Sequence, residues 1–191
     1  HLQAKLALVN ANRDANAFDS HPTVPTYVAG CEQRAAKLGY SFDRFWLHDP
    51  KMNPASWERI LHARGIKGVI LVGLMDTTHL PVELTPLWQK FPTVVTGVRT
   101  REPALSFCCV DHHNLALMAF EQALSLGYRR PGLVIDDVID ALVERRFSAG
   151  YLTGQRALPL ARQIPIFSEQ VSSPKAPAGF RAWLDRHEPD V

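Results

Sequence analysis

The chain has 191 residues, of which 46% are hydrophobic and 21% charged, and a net charge of +2. These proportions belong to a globular domain or a pair of small lobes and exclude a fibrous repeat or a disordered tail. Lysines and arginines are scattered without a basic stripe, so this segment has no electrostatic footprint for wrapping nucleic acid.

The N-terminal HLQAKLALVN holds a short apolar run, 6–9, that reads as a first strand. It lacks the charged flank, apolar core and cleavage site of a leader, and no later run approaches the roughly 20 apolar residues of a membrane helix. The polar, turn-rich ANRDANAFDSHP follows, and then Val24, Val28, Cys31, Ala35 and Leu38 recur at helical spacing up to Gly39. Residues 41–47 are aromatic and strand-like, 54–64 place Trp57, Ile60 and Leu61 on one helical face, and GVILVG is a solidly apolar strand. A proline-bounded LTPLWQKF leads to PTVVTG as a fourth strand, and the loop VRTREPAL leads to SFCCV as a fifth.

In the second half a helix over 115–126, apolar on nearly every side, closes at Gly127, and GLVI forms the next strand. One helix over 140–157, a strand at IPIFS and a helix over 178–186 complete the pattern before EPDV. Solidly apolar strands alternating with helices predict a parallel sheet covered on both faces, a doubly wound α/β fold. In such sheets ligands sit at the carboxyl ends of strands, which directs attention to the loops after Val9, Val72, Val95, Val110 and Ile135. A chain that begins in a strand and stops at EPDV reads as a fragment.

SFCCVDHHN gathers the chemistry-bearing residues most densely. On a strand Cys108 and Cys109 point to opposite faces, and adjacent cysteines lack the spacer of a zinc knuckle, so both are expected to be buried as small hydrophobes. Asp111 stands three residues before Asn114, in helix-entry chemistry. With Cys31 the cysteines number three, which argues against a disulfide framework and favours a reducing, cytoplasmic compartment. No metal ligands and no catalytic residues are assigned. A GxGxxG after the first strand, a P-loop and a nucleophile elbow are all absent. The remaining cluster, ERRFSAGYLTGQ, carries Arg145 and Arg146 after the acidic DDVID; they either pair with those carboxylates on the surface or point a guanidinium at a small ligand.

AxxxLGY at 35–40, RGIKGVIL at 64–71, FPTVV at 91–95, VDHHNLALMAFEQALSLGYRRPGLV at 110–134 and RFSAGYLTG at 146–154 together resemble the effector-binding domain of LacI/GalR transcription regulators, in order and spacing over almost the whole chain. The resemblance implies a two-lobed, periplasmic-binding-protein-like (type I) α/β fold with parallel sheets flanked by helices. Residues 1–110 would be the N-terminal lobe and 111–191 an incomplete C-terminal lobe. It implies no cofactor and no membrane. The partners it implies are a small sugar-like effector held between the lobes, a second copy in a homodimer, and operator DNA reached through a helix-turn-helix outside this chain.

Carried over position by position, the resemblance points to Phe18 and His21 in the loop after the first strand, to Met75 and Asp76 after the third, and to Gly97 after the fourth. Asp111 falls at the first crossing between lobes. Asn12 adds a hydrogen-bonding group and Phe18 a stacking face, although a polar turn residue serves its own backbone equally well. Two positions depart from the family. Phe147 stands where relatives carry the effector-contacting arginine; Arg146 is one residue earlier, a rotation of about 100 degrees on a helix, which leaves open whether Arg145 or Arg146 reaches a ligand. Gly97 stands where several relatives use a polar contact. A secreted sugar-binding receptor of the same architecture is the alternative reading, and an α/β hydrolase would need catalytic acids that have no place here.

Overall fold

The computed structural model describes residues 4–191 and divides into two compact units, His1–Cys109 and Val110–Val191. In the first unit β1 (Ala4–Asn10) leads through the four-residue α1 (Ala17–Ser20) to α2 (Val24–Lys37) and β2 (Tyr40–Trp46). Then come α3 (Pro54–Ala63), β3 (Ile66–Val72), α4 (Thr85–Lys90), β4 (Thr93–Thr96) and β5 (Ser106–Cys108). The strands form one five-stranded parallel sheet in the order β2-β1-β3-β4-β5. Right-handed crossovers require that order to be built with helices on both faces, and alternation along the strands divides the core accordingly. Leu8 and Val72 pack with Phe18, Val24 and Val28. The neighbouring Val9 and Leu71 turn to the other face, and there Trp57 of α3 meets Phe45 of β2 with ring centroids 5.5 Å apart. Leu8, Leu61 and Leu71 are wholly inaccessible, and each such burial stabilises by roughly 1.5–3 kcal/mol.

Helix entry is specified locally. Asn53 accepts a 2.8 Å hydrogen bond from the Ser56 amide, with Pro54 at the first helical position of α3. α2 uses a less usual acceptor. Thr23 makes no capping bond, and His21 Nδ1 receives the Thr23 and Val24 amides at 3.2 and 3.4 Å.

The second unit contains α5 (His112–Ser125), β6 (Val134–Asp136), α6 (Asp137–Leu142), α7 (Arg146–Gln155), β7 (Phe167–Glu169) and α8 (Ala176–His187), with β6 and β7 parallel. α5 and α7 approach closely over Gly150 and Gly154. A Cβ on Gly150 would stand 2.1 Å from the His113 carbonyl oxygen, and one on Gly154 would stand 2.5 Å from the Phe120 ring. Tyr151 locks the base of this unit: its hydroxyl lies 3.0 Å from the Pro131 carbonyl and 2.9 Å from that of Ile164, and it accepts the Gln155 amide at 2.8 Å. Burial pushes its pKa up to about 12.

Two expectations are corrected. The helix expected over 140–157 is two, because Glu144 and Arg145 adopt left-handed backbone conformations (φ 59° and 62°). Asp140, fully buried, holds the break: its carbonyl accepts the Arg145 amide at 2.7 Å and its carboxylate accepts the Ser148 amide and hydroxyl at 3.3 and 2.5 Å. The cysteines are not core residues, since Cys108 is exposed and Cys31 and Cys109 are partly so; β5 is a three-residue edge strand with every residue exposed. The helix read as apolar on nearly every side buries His112 and Phe120 and leaves the apolar Leu115 and Met118 exposed.

Candidate functional site

The carboxyl ends of β1 and β3 are tied into one polar frame. Buried Asn10 donates to the Asp14 and Ala15 carbonyls at 2.9 and 3.1 Å and accepts the Asn12 amide at 2.9 Å. Asn12 accepts the Asp14 amide at 2.9 Å and donates at 3.1 Å to the Gly73 carbonyl at the end of β3. Gly73 is in the left-handed region (φ 96°), a backbone conformation that glycine adopts without strain. Across this junction Arg13 Nε reaches Asp76 at 2.8 Å in an exposed pair. Trp46 at the end of β2 donates its indole N–H to the Asn12 carbonyl at 2.9 Å. The loop after β1 is thereby fixed from both neighbouring strands, which is the preorganisation a ligand site needs.

The expected residues fall into distinct roles. Asn12 and Asp76 belong to this frame, and Met75, beside Asp76, packs against the core cluster. Phe18 is only 7% exposed and belongs to that same cluster, with the Arg44 guanidinium 5.8 Å from its ring centroid. Its ring therefore serves packing in place of the open stacking face expected. His21 caps α2 through Nδ1. Gly97, with φ 85°, closes β4 by donating to the Cys108 carbonyl at 2.9 Å, and the Tyr27 ring lies 3.9 Å from where its Cβ would be. Tyr27 had no sequence signal beyond its place one turn into α2.

In the second unit Asp111 caps α5 by accepting the Asn114 amide at 3.1 Å. Arg145 pairs with Asp137 and lies 3.7 Å from Asp140, so the surface-pairing alternative describes it. Arg146 lies 3.8 Å from Glu144 in a loose, half-exposed pair. Next to these is His112, which the sequence places at the strand-to-helix junction of SFCCVDHHN without assigning it a ligand role. His112 is buried, its Nδ1 has no hydrogen-bond partner, and its ring meets Phe147 edge-on at 4.9 Å. Burial, reinforced by the Arg146 charge and opposed by Asp111, lowers its pKa. Among the described residues no group of His, Cys, Asp and Glu could hold a metal ion, and no helix is long and apolar enough to cross a membrane.

No family model matches the chain, and no curated protein sequence does. Solved structures do. The transcriptional regulator CelR in complex with cellobiose superposes with a TM-score of 0.61 at 19% identity over 96% of this chain and 56% of its own. A LacI-family transcriptional regulator protein from Rhizobium etli gives 0.64 at 17% identity over 87% and 57%. A LacI-family regulatory protein from Chloroflexus aggregans gives 0.64 at 14% over 96% and 66%. The chain thus has the mixed α/β fold of LacI-type, periplasmic-binding-protein-like domains, and it spans between 56% and 66% of the length of these three structures.

Proposed function

We propose that the chain is the effector-sensing part of a LacI-type transcriptional regulator, cytoplasmic and homodimeric, whose DNA-binding helix-turn-helix lies outside the sequence considered. The observation that carries this reading is the likeness over 87–96% of the chain to regulators of that family, none of them an enzyme. The structure with cellobiose bound makes a sugar-like effector the first choice here as well. Residues 1–110 and 111–191 are its two lobes, the second in part. Within the first, Asn12, Met75, Asp76 and Gly97 surround the carboxyl ends of β1, β3 and β4, where doubly wound sheets receive their ligands. Phe18 and His21 hold the loop and helix beneath, and Asp111 and Arg146 are the second unit's contribution to recognition.

No covalent step is involved. An effector that binds one arrangement of the regulator more tightly than another shifts the population, and DNA affinity changes by the same coupling free energy. The test is calorimetric titration of the chain with cellobiose and its component sugars. Asp76→Ala and Arg146→Ala, both in exposed pairs worth little to stability, are expected to weaken binding about tenfold or more, as for a lost charged hydrogen bond. Equal affinity in both variants and the parent would remove these residues from the site. Sequencing the native protein upstream of His1 tests the regulator itself, with a helix-turn-helix expected.

A further inference from the structure

The face of the sheet that is covered by α2 also carries a cysteine of β5. Ile70 of β3 packs with the α2 cluster; it stands beside Val94 of β4, which stands beside Ser106 of β5. Partners across parallel strands point to one side, and so does every second residue along a strand, so Cys108 shares that side with Ser106. Cys31 enters the same layer from α2, where it packs against the cluster of Leu8, Val28 and Val72. Both thiols belong to the unit His1–Cys109.

Tyr27 fixes how far α2 reaches towards β5. Its ring lies 3.9 Å from where a Cβ on Gly97 would stand, and the Gly97 amide donates to the Cys108 carbonyl at 2.9 Å. Cys31 follows Tyr27 by one helical turn and packs against the same cluster, so the two side chains share a face of α2. The helix face that touches the end of β4 therefore presents Cys31 beside the edge strand. The Cys31 thiol is pushed up first by burial and then by the charge of Cys108, ahead of Glu32.

The two thiols differ as an oxidisable pair requires. Cys108 is exposed and meets an oxidant from solvent, whereas Cys31 is half-buried and held back as the thiol. β5 has three residues, all exposed, and pairs with β4 alone. Such an edge moves at low cost and supplies the adjustment a bridge needs, since its Cα atoms must come within about 4.4–6.8 Å.

We propose that Cys31 and Cys108 are a site of reversible oxidation, forming by exchange with a small-molecule disulfide a bridge that ties α2 to β5. The Cys108 thiolate attacks one sulfur of the oxidant, whose S–S bond breaks and releases one thiolate. Cys31 then gives its proton to solvent and attacks the Cys108 sulfur, expelling the second thiolate. Two cysteine thiols are oxidised and one disulfide is reduced to two thiols. In a reducing compartment a bridge of this kind is a responsive element, not a structural staple. While it lasts it holds Tyr27 on Gly97.

The experiment exposes the full chain to oxidised glutathione under native conditions, quenches with an alkylating agent and maps the cysteines by mass spectrometry of peptides. The parent is expected to lose two hydrogens and to give linked peptides containing Cys31 and Cys108, separated again by dithiothreitol. Cys31→Ala keeps an apolar side chain against the cluster and removes the second step, so there Cys108 is expected to retain its glutathione. Cys109→Ser, just beyond the end of β5, is expected to leave the yield of the bridge unchanged. A parent that retains glutathione on Cys108, a bridge between Cys108 and Cys109, or linkage only between separate chains overturns the proposal.

Discussion

Two glycines in helices make opposite demands on their surroundings. Gly150 in α7 faces the α5 backbone, where an added methyl would meet the His113 carbonyl oxygen at 2.1 Å and the Ala116 methyl at 3.0 Å. Backbone cannot move aside as a flexible side chain does, so Gly150→Ala forces the two helices apart and is expected to cost about 3 kcal/mol, at the upper end of overpacking penalties. Gly30 in the interior of α2 has nothing within 4 Å of the same position. There alanine removes only the entropic cost of glycine in a helix, and Gly30→Ala is expected to stabilise by about 0.5–1 kcal/mol. Urea unfolding of the two variants beside the parent measures both signs. The same AGY stretch that carried the family resemblance is thus a packing requirement, and the residue read as a ligand-stacking ring, Phe18, is likewise committed to the core. A phenylalanine inside a polar loop has no periodicity to show which way it faces. Only the short α1 turns it inward.

At the scale of elements, much of the first unit was legible because parallel strands buried on both faces are solidly apolar and turn residues mark the boundaries: Gly39 ends α2, and Gly73 and Gly97 follow β3 and β4, all three with positive φ. The helix break between α6 and α7 was not. Left-handed residues are normally glycine or asparagine, whereas here Glu144 and Arg145 take that conformation with no glycine or proline to mark it. What pins them is a contact over eight residues, Asp140 to Ser148, that no local pattern encodes. Asp140→Ala would strand the Ser148 amide and hydroxyl and release the kink. A loss of roughly 2 kcal/mol is expected for such groups, with Asp140→Asn milder because one acceptor survives. Thermal unfolding followed by circular dichroism distinguishes them, and equal stability of Asp140→Ala and the parent would show that the break holds without this carboxylate. The frame of Asn10, Asn12 and Asp14 was half legible: asparagine and aspartate in a loop signal turns, but the reach of Asn12 to Gly73 depends on β1 and β3 being neighbours.

Across the whole molecule the titrating groups are unevenly divided. In the second unit three carboxyl pKa values are lowered. Asp136 is held down chiefly by the Val171 amide, with Ile139 and Val138 adding to it. Asp137 is held down by Arg145 and then Ser168. Asp190 is opposed by burial but carried down by the Arg129 and Arg130 amides. His112, also lowered, lies there too. In the first unit only Glu58, beside Lys90, is lowered among the described residues. For every one of these groups the folded pKa is below the unfolded value, so the stabilisation is complete above the unfolded pKa and disappears as pH falls through the folded one. His112 therefore begins to favour unfolding below about pH 6.5, and the carboxylates follow below about pH 4. Asp136 matters most to architecture, because its two oxygens join the start of α6 to the chain after β7. Acid should consequently loosen Val110–Val191 before His1–Cys109. Hydrogen exchange by mass spectrometry between pH 7 and pH 4, corrected for intrinsic exchange, reads this directly: peptides from β6, α6 and β7 are expected to lose protection first, while β1 and β3 keep theirs. Asp136→Asn should start from lower stability at neutral pH and show a shallower acid decline. Simultaneous loss in both units, with the same slope in Asp136→Asn as in the parent, would place the acid response elsewhere.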